Sequence, residues 1–135
     1  MIPILNLLDL PPRKTRSRLT FSPLAFLKLQ LFCHAGDTEV GGFGISAADD
    51  FLYIEDFVTV RQEVTGVSVR FLDDAVADFF DRSVDRGLKP AQFSRVWIHS
   101  HPGDLATPSS LDEATFKRCF DGCDWSVMFI LARHG

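Results

Sequence analysis

The sequence predicts one α/β (α+β) domain, a central mixed β-sheet flanked by helices. Segments with apolar residues at helical spacing alternate with short runs rich in aromatic and β-branched residues. The chain has 135 residues, enough for one domain with a sizeable core. It is 46% hydrophobic with 13 Phe and a formal net charge of -4, the balance of a compact globular protein and not of a disordered chain.

Residues 1–20 are expected to form an N-terminal extension, and residues 21–135 the folded domain. In the opening "MIPILNLLDLPPRKTRSRL" the apolar stretch precedes the basic one and is broken by Pro3, Asn6 and Asp9. That order is wrong for a signal peptide. No run approaches the ~20 apolar residues of a membrane span. The basic run Arg13–Arg18 suits a solvated segment, and the acidic net charge argues against nucleic acid as the main partner. Cys33, Cys119 and Cys123 are an odd count, which fits reduced thiols in the cytoplasm.

Ser22-Pro23 starts a helix, with Ser as N-cap and Pro at the first helical position. "LAFLKLQLFCHAG" is apolar almost all round, so this helix is expected to be buried and to end near Gly36. "TEVGGFGIS" follows as a strand whose glycines mark close approach of a backbone or a ligand. "DDFLYIEDFVTV" and "GVSVRF" suit further strands. From Leu72 to Val84 the apolar residues recur at helical spacing, with Asp73 and Asp74 at the start and Gly87 and Pro90 past the end. "SRVWI" is a buried strand. Ser110–Phe120 is a second amphipathic helix, with "SLDE" as its capping box and Asp121-Gly122 as its close. "WSVMFILA" is the last strand. It stands so near Gly135 that the native chain is expected to continue and add another strand.

His99 and His101 lie two apart in an extended segment, so their side chains share a face. Pro102-Gly103 ends that segment, and Asp112 falls in the first turn of the next helix. A strand end, a turn and a helix start can bring these three together. Two imidazoles and a carboxylate are a common zinc set. The plainer reading, a pair of structural histidines beside a capping box, is compatible with it. Asp104 suits a solvated turn, and His34 and His134 lie outside the pattern. Cys119 and Cys123 would lack two ligands for a zinc site of their own, which leaves packing or plain thiols. Trp97, Phe116 and Phe120 read as core.

His99-Ser100-His101-Pro102, then Ser109 and Asp112, gives H-x-H-P-x(6)-S-x-x-D. This resembles the JAMM motif of the JAB/MPN metalloprotease family. The family also has an upstream glutamate, and Glu39 in "TEVGGFG" matches it; Glu55, Glu63 and Glu113 are rivals without the glycine setting. The resemblance runs from the first helix to the last strand. It implies the JAB/MPN (cytidine-deaminase-like) fold, in its short bacterial form. It implies Zn2+ held by His99, His101 and Asp112, Glu39 as general base on water at the zinc, and Ser109 as donor to the oxyanion. The activity implied is a zinc isopeptidase cutting after the C-terminal Gly of a ubiquitin-like protein. Two other readings are a RadC-like protein of DNA metabolism, which the acidic chain disfavours, and a noncatalytic MPN scaffold, which would be expected to have lost ligands. A deaminase-type zinc site lacks its Pro-Cys-x-x-Cys pair here.

Overall fold

The computed structural model describes residues 17–134. Most of the expected extension at residues 1–20, and most of its basic run, lies outside the described residues. The elements are β1 (Thr20–Phe21), α1 (Pro23–His34), β2 (Gly41–Ser46), β3 (Tyr53–Thr59), β4 (Gln62–Val64), β5 (Val69–Phe71), α2 (Asp73–Asp85), α3 (Pro90–Phe93), β6 (Val96–His101), α4 (Ser110–Phe120) and β7 (Val127–Ala132). Five strands form one sheet in the order β1-β3-β2-β6-β7, and β4 and β5 form a separate hairpin. The sheet is mixed: β2 runs antiparallel to β3 and β6, while β1–β3 and β6–β7 are parallel. The class is thus the expected mixture of helices around a mixed sheet.

α1 starts as its sequence dictates. Ser22 Oγ accepts the Ala25 N–H at 3.0 Å, and Pro23 takes the first turn, where its missing donor matters least. The expected full burial does not occur. Ala25, Leu29 and Cys33, spaced by four, face the sheet, while Leu24, Leu27 and Leu31 are exposed. A helix lying on a sheet hides one stripe only, whatever its other faces carry. Against that stripe pack Ile54, Phe57, Val96 and Ile98, the core of one sheet face.

The other face carries the second core, with Phe43, Trp97, Phe79 and Phe120. α2 covers part of it through Ala75, Phe79 and Ser83 and ends at Gly87, whose φ of 82° is the left-handed cap that favours glycine. The glycines of β2 accommodate the protein's own backbone and side chains. A Cβ on Gly41 would lie 2.7 Å from Val69 Cγ1 and 3.1 Å from Phe71 Cε1, both on the hairpin. On Gly42 it would meet the Val58 carbonyl oxygen and Phe57. The bare strand lets the hairpin and the core close over it. No helix among the described residues is long and apolar enough to cross a membrane.

Candidate metal centre

β2 and β6 pair with Gly41 opposite His99 and Gly42 opposite Ile98. Ser100 extends the pairing: its N–H donates to the Val40 carbonyl at 2.9 Å, and its hydroxyl oxygen accepts the Val40 N–H at 3.0 Å. One step further along this register, Glu39 stands opposite His101. Glu39 therefore lies two residues ahead of β2 and not inside it. Its own N–H donates to the Thr65 carbonyl at the hairpin turn, at 2.8 Å. Gln62, on the hairpin, replaces a missing strand neighbour for Gly41: its side-chain amide accepts the Gly41 N–H at 2.8 Å and donates to the Gly41 carbonyl at 2.9 Å.

The third wall is the start of α4. Its N-cap is Ser109, not Ser110, and the capping box is Ser109–Asp112. Ser109 Oγ accepts the Asp112 N–H at 3.1 Å, and Asp112 Oδ2 accepts the Ser109 N–H at 2.7 Å. Asp112 Oδ1 sits 3.3 Å from His99 Nε2, and Asp112 Oδ2 sits 3.4 Å from His101 Nε2. Glu39 Oε1 is 3.6 Å from His101 Nε2. One potential ligand atom from each of Glu39, His99, His101 and Asp112 lies within 4.8 Å of the others, so the group can hold a metal ion.

The donor atoms suit that use. His101 Nδ1 lies 2.8 Å from the Leu105 carbonyl, which can only accept, so Nδ1 carries the proton and Nε2 presents its lone pair inward. Both nitrogens of His99, His101 Nε2 and Glu39 Oε2 are buried with no hydrogen-bond partner among the described residues. Such atoms carry a desolvation cost of ~1–3 kcal/mol each unless something is bound. His99 is 0% exposed, its ring stacked on Trp97 with centroids 4.4 Å apart.

Burial pushes the His99 pKa down to about 4, though Asp112 pulls the other way. The ring is neutral at pH 7, the form that binds metal. Burial opposes ionisation of Asp112, but the Ser109 hydrogen bonds and the two imidazoles outweigh it and hold the carboxyl below its usual range. Glu39 moves the other way: burial lifts its pKa to about 7, against the lowering effect of His101 and with a contribution from Asp112. A carboxyl poised there can take up and release a proton near neutral pH.

All five residues singled out in the sequence meet at one end of the sheet. The rival carboxylates Glu55, Glu63, Glu113 and Asp104 are exposed and absent from the group, as are His34 and His134. Cys119 is exposed and Cys123 half-buried, which leaves plain thiols. The sequence reading missed Gln62 and Thr65, which hold the Glu39 wall, and no local pattern marks them. It also missed Arg133. This residue donates its backbone N–H to the carbonyls of His101 and Gly103, both at 3.1 Å. Its guanidinium meanwhile bonds the carbonyls of Cys33 and Gly36 and pairs with Asp37 at 3.3 Å. Compared with known proteins, the chain matches no family model and no curated protein.

Proposed function

We propose that the protein is a zinc-dependent isopeptidase of the JAB/MPN type, hydrolysing the bond after the C-terminal Gly of a ubiquitin-like protein. The observation that carries this reading is the buried convergence of Glu39, His99, His101 and Asp112, with imidazole nitrogens left unpartnered. It combines with the motif spacing of His99, His101, Ser109 and Asp112 and with the mixed sheet flanked by helices. A noncatalytic scaffold has no need of a full ligand set beside a carboxyl poised near neutrality.

Zinc held by His99, His101 and Asp112 would supply Lewis acidity and lower the pKa of a water to ~7. Glu39 takes a proton from the attacking water on its unpartnered Oε2 and delivers it to the leaving amine nitrogen as the C–N bond breaks. The water oxygen stays on the acyl carbon in the new carboxylate. The Ser109 hydroxyl donates to the carbonyl oxygen as negative charge builds there, a contribution of ~3 kcal/mol in comparable sites. Ser109 is no nucleophile, since its Oγ is engaged with the Asp112 N–H and the adjoining Asp112 carboxyl is held low and committed to the metal side. The extended tail would lie along a strand edge, held by main-chain bonds. Val69 and Phe71, packed over Gly41 beside His99, narrow the approach and favour glycine at the cut.

The test is metal analysis together with hydrolysis of a ubiquitin-like protein ending in Gly and fused to a peptide or a lysine side chain. The expected result is chelator-sensitive cleavage, poor cleavage of the Gly→Leu tail, and one zinc per chain. Glu39→Gln should keep its zinc while kcat falls by ~10²-fold or more. Cleavage at the native rate by this variant, or equal cleavage of both tails, rejects the reading.

A further inference from the structure

Beyond Trp97, on the side away from the histidines, the same sheet face carries a cavity of about 540 Å³ between α2 and α4. Its lining is aromatic, with Phe43, Phe71, Phe80, Trp97 and Phe120. Arg70, Arg95 and Arg118 line it with one carboxylate, Asp73; Arg70 pairs with Glu63 at 3.6 Å and Arg95 with Asp124, while Arg118 has no ion pair among the described residues. Arg95 is the informative one. Its Nη1 donates to Cys123 Sγ at 3.2 Å, a weak acceptor, and its Nη2 pairs at 3.2 Å with the exposed Asp124. Its Nε is buried and has no partner among the described residues. A guanidinium edge of this kind, beside an apolar hollow, is built to receive a planar anion.

We propose that this cavity binds a small aromatic carboxylate, its ring among the aromatic side chains and its carboxylate on Arg95 and Arg118. A neutral ring would leave the Arg95 Nε unsatisfied, and a cation would leave Arg118 without a counter-charge. The aromatic lining favours a flat body, because rings gain from offset or edge contacts beyond their buried area. The proposal does not depend on the hydrolase reading, since none of the candidate metal ligands lines the cavity. The two sites nevertheless share Trp97, whose ring stacks on His99.

The experiment is a calorimetric titration of the full chain with 3-phenylpropionate, and with 3-phenylpropionamide as an uncharged analogue of the same shape. The acid should bind at least about tenfold more tightly than the amide. Arg118→Gln, at an exposed position, should remove about that factor from the acid and leave the amide unchanged. Arg95→Gln should do the same if it folds. Thr115→Trp, filling the cavity, should abolish binding of both. Saturating acid should also slow alkylation of Cys119, which lines the cavity. Equal affinity for acid and amide, no binding up to ~10 mM, or acid binding that survives both Arg118→Gln and Thr115→Trp would each overturn the proposal.

Discussion

The Ser109 hydroxyl accepts the Asp112 N–H through its oxygen, so capping and the proposed oxyanion stabilisation would draw on different parts of one group. The two roles can be separated by substitution. Ser109→Ala removes both and should cost about 1 kcal/mol of stability, the usual loss at an N-cap. Ser109→Gly also removes the hydroxyl, but glycine is tolerated at this position for only a few tenths of a kcal/mol. Thermal unfolding should therefore place the Gly variant near the native protein, while its kcat on the ubiquitin-like fusion falls by ~10²-fold. A Gly variant with native turnover would show that Ser109 caps and nothing more. His99, His101 and Asp112 were legible because two simple periods, two in a strand and 3.6 in a helix, bring them together. The capping box was misplaced by one residue for an equally local reason. Ser109 and Ser110 are adjacent and each has an acid three residues on, Asp112 and Glu113, so the pattern alone cannot choose. Glu39 is chosen over its rivals through the family resemblance and its glycine setting, since its partner strand is sixty residues away.

At the scale of elements, the hairpin β4–β5 sets the shape of the site without supplying a ligand. Gly41 is where it closes. Gly41→Ala should push Val69 and Phe71 outward, with a loss of ~1–3 kcal/mol in chemical denaturation. The hairpin also carries Thr65, which holds Glu39, so the rate should fall with zinc content unchanged. Adding Val69→Ala removes the Cγ1 atom nearest the new methyl, and the pair should be less destabilised than the sum of the singles. Strictly additive losses would show that the hairpin does not bear on Gly41. The long helices were legible from their caps and periods, and β2, β3 and β6 from their composition. β1, α3 and β4 escaped because two to four residues show no period. α1 misled because its apolar residues cover faces that the sheet never touches.

For the molecule as a whole, the buried centre opposes the stability of the metal-free fold. The Glu39 carboxyl has a pKa of about 7 when folded, against an ordinary 4.5. Between those values the unfolded chain releases this proton while the folded one retains it, so rising pH removes stability until it passes about 7. Metal-free Glu39→Gln lacks this penalty. Relative to the native protein it should gain stability from pH 4.5 upward and level off above about 7.5, by on the order of 2–3 kcal/mol. Denaturation at several pH values checks this, and a difference independent of pH would contradict the shifted carboxyl. His99, pushed down to about 4, acts oppositely in both proteins: its contribution is present above 6.5 and is lost as pH falls toward 4. Arg133 gives the architecture an order in time. It reaches back a hundred residues to the Cys33 carbonyl and clasps Asp37, while its backbone holds the turn after His101. A chain emerging from synthesis exposes His99, His101 and Asp112 well before this clasp can form. The segment carrying Glu39 can meanwhile pair with β6 and the hairpin through Val40 and Thr65, so Arg133 is the last tie, fastening the end of α1 and the turn after His101 onto a site already gathered.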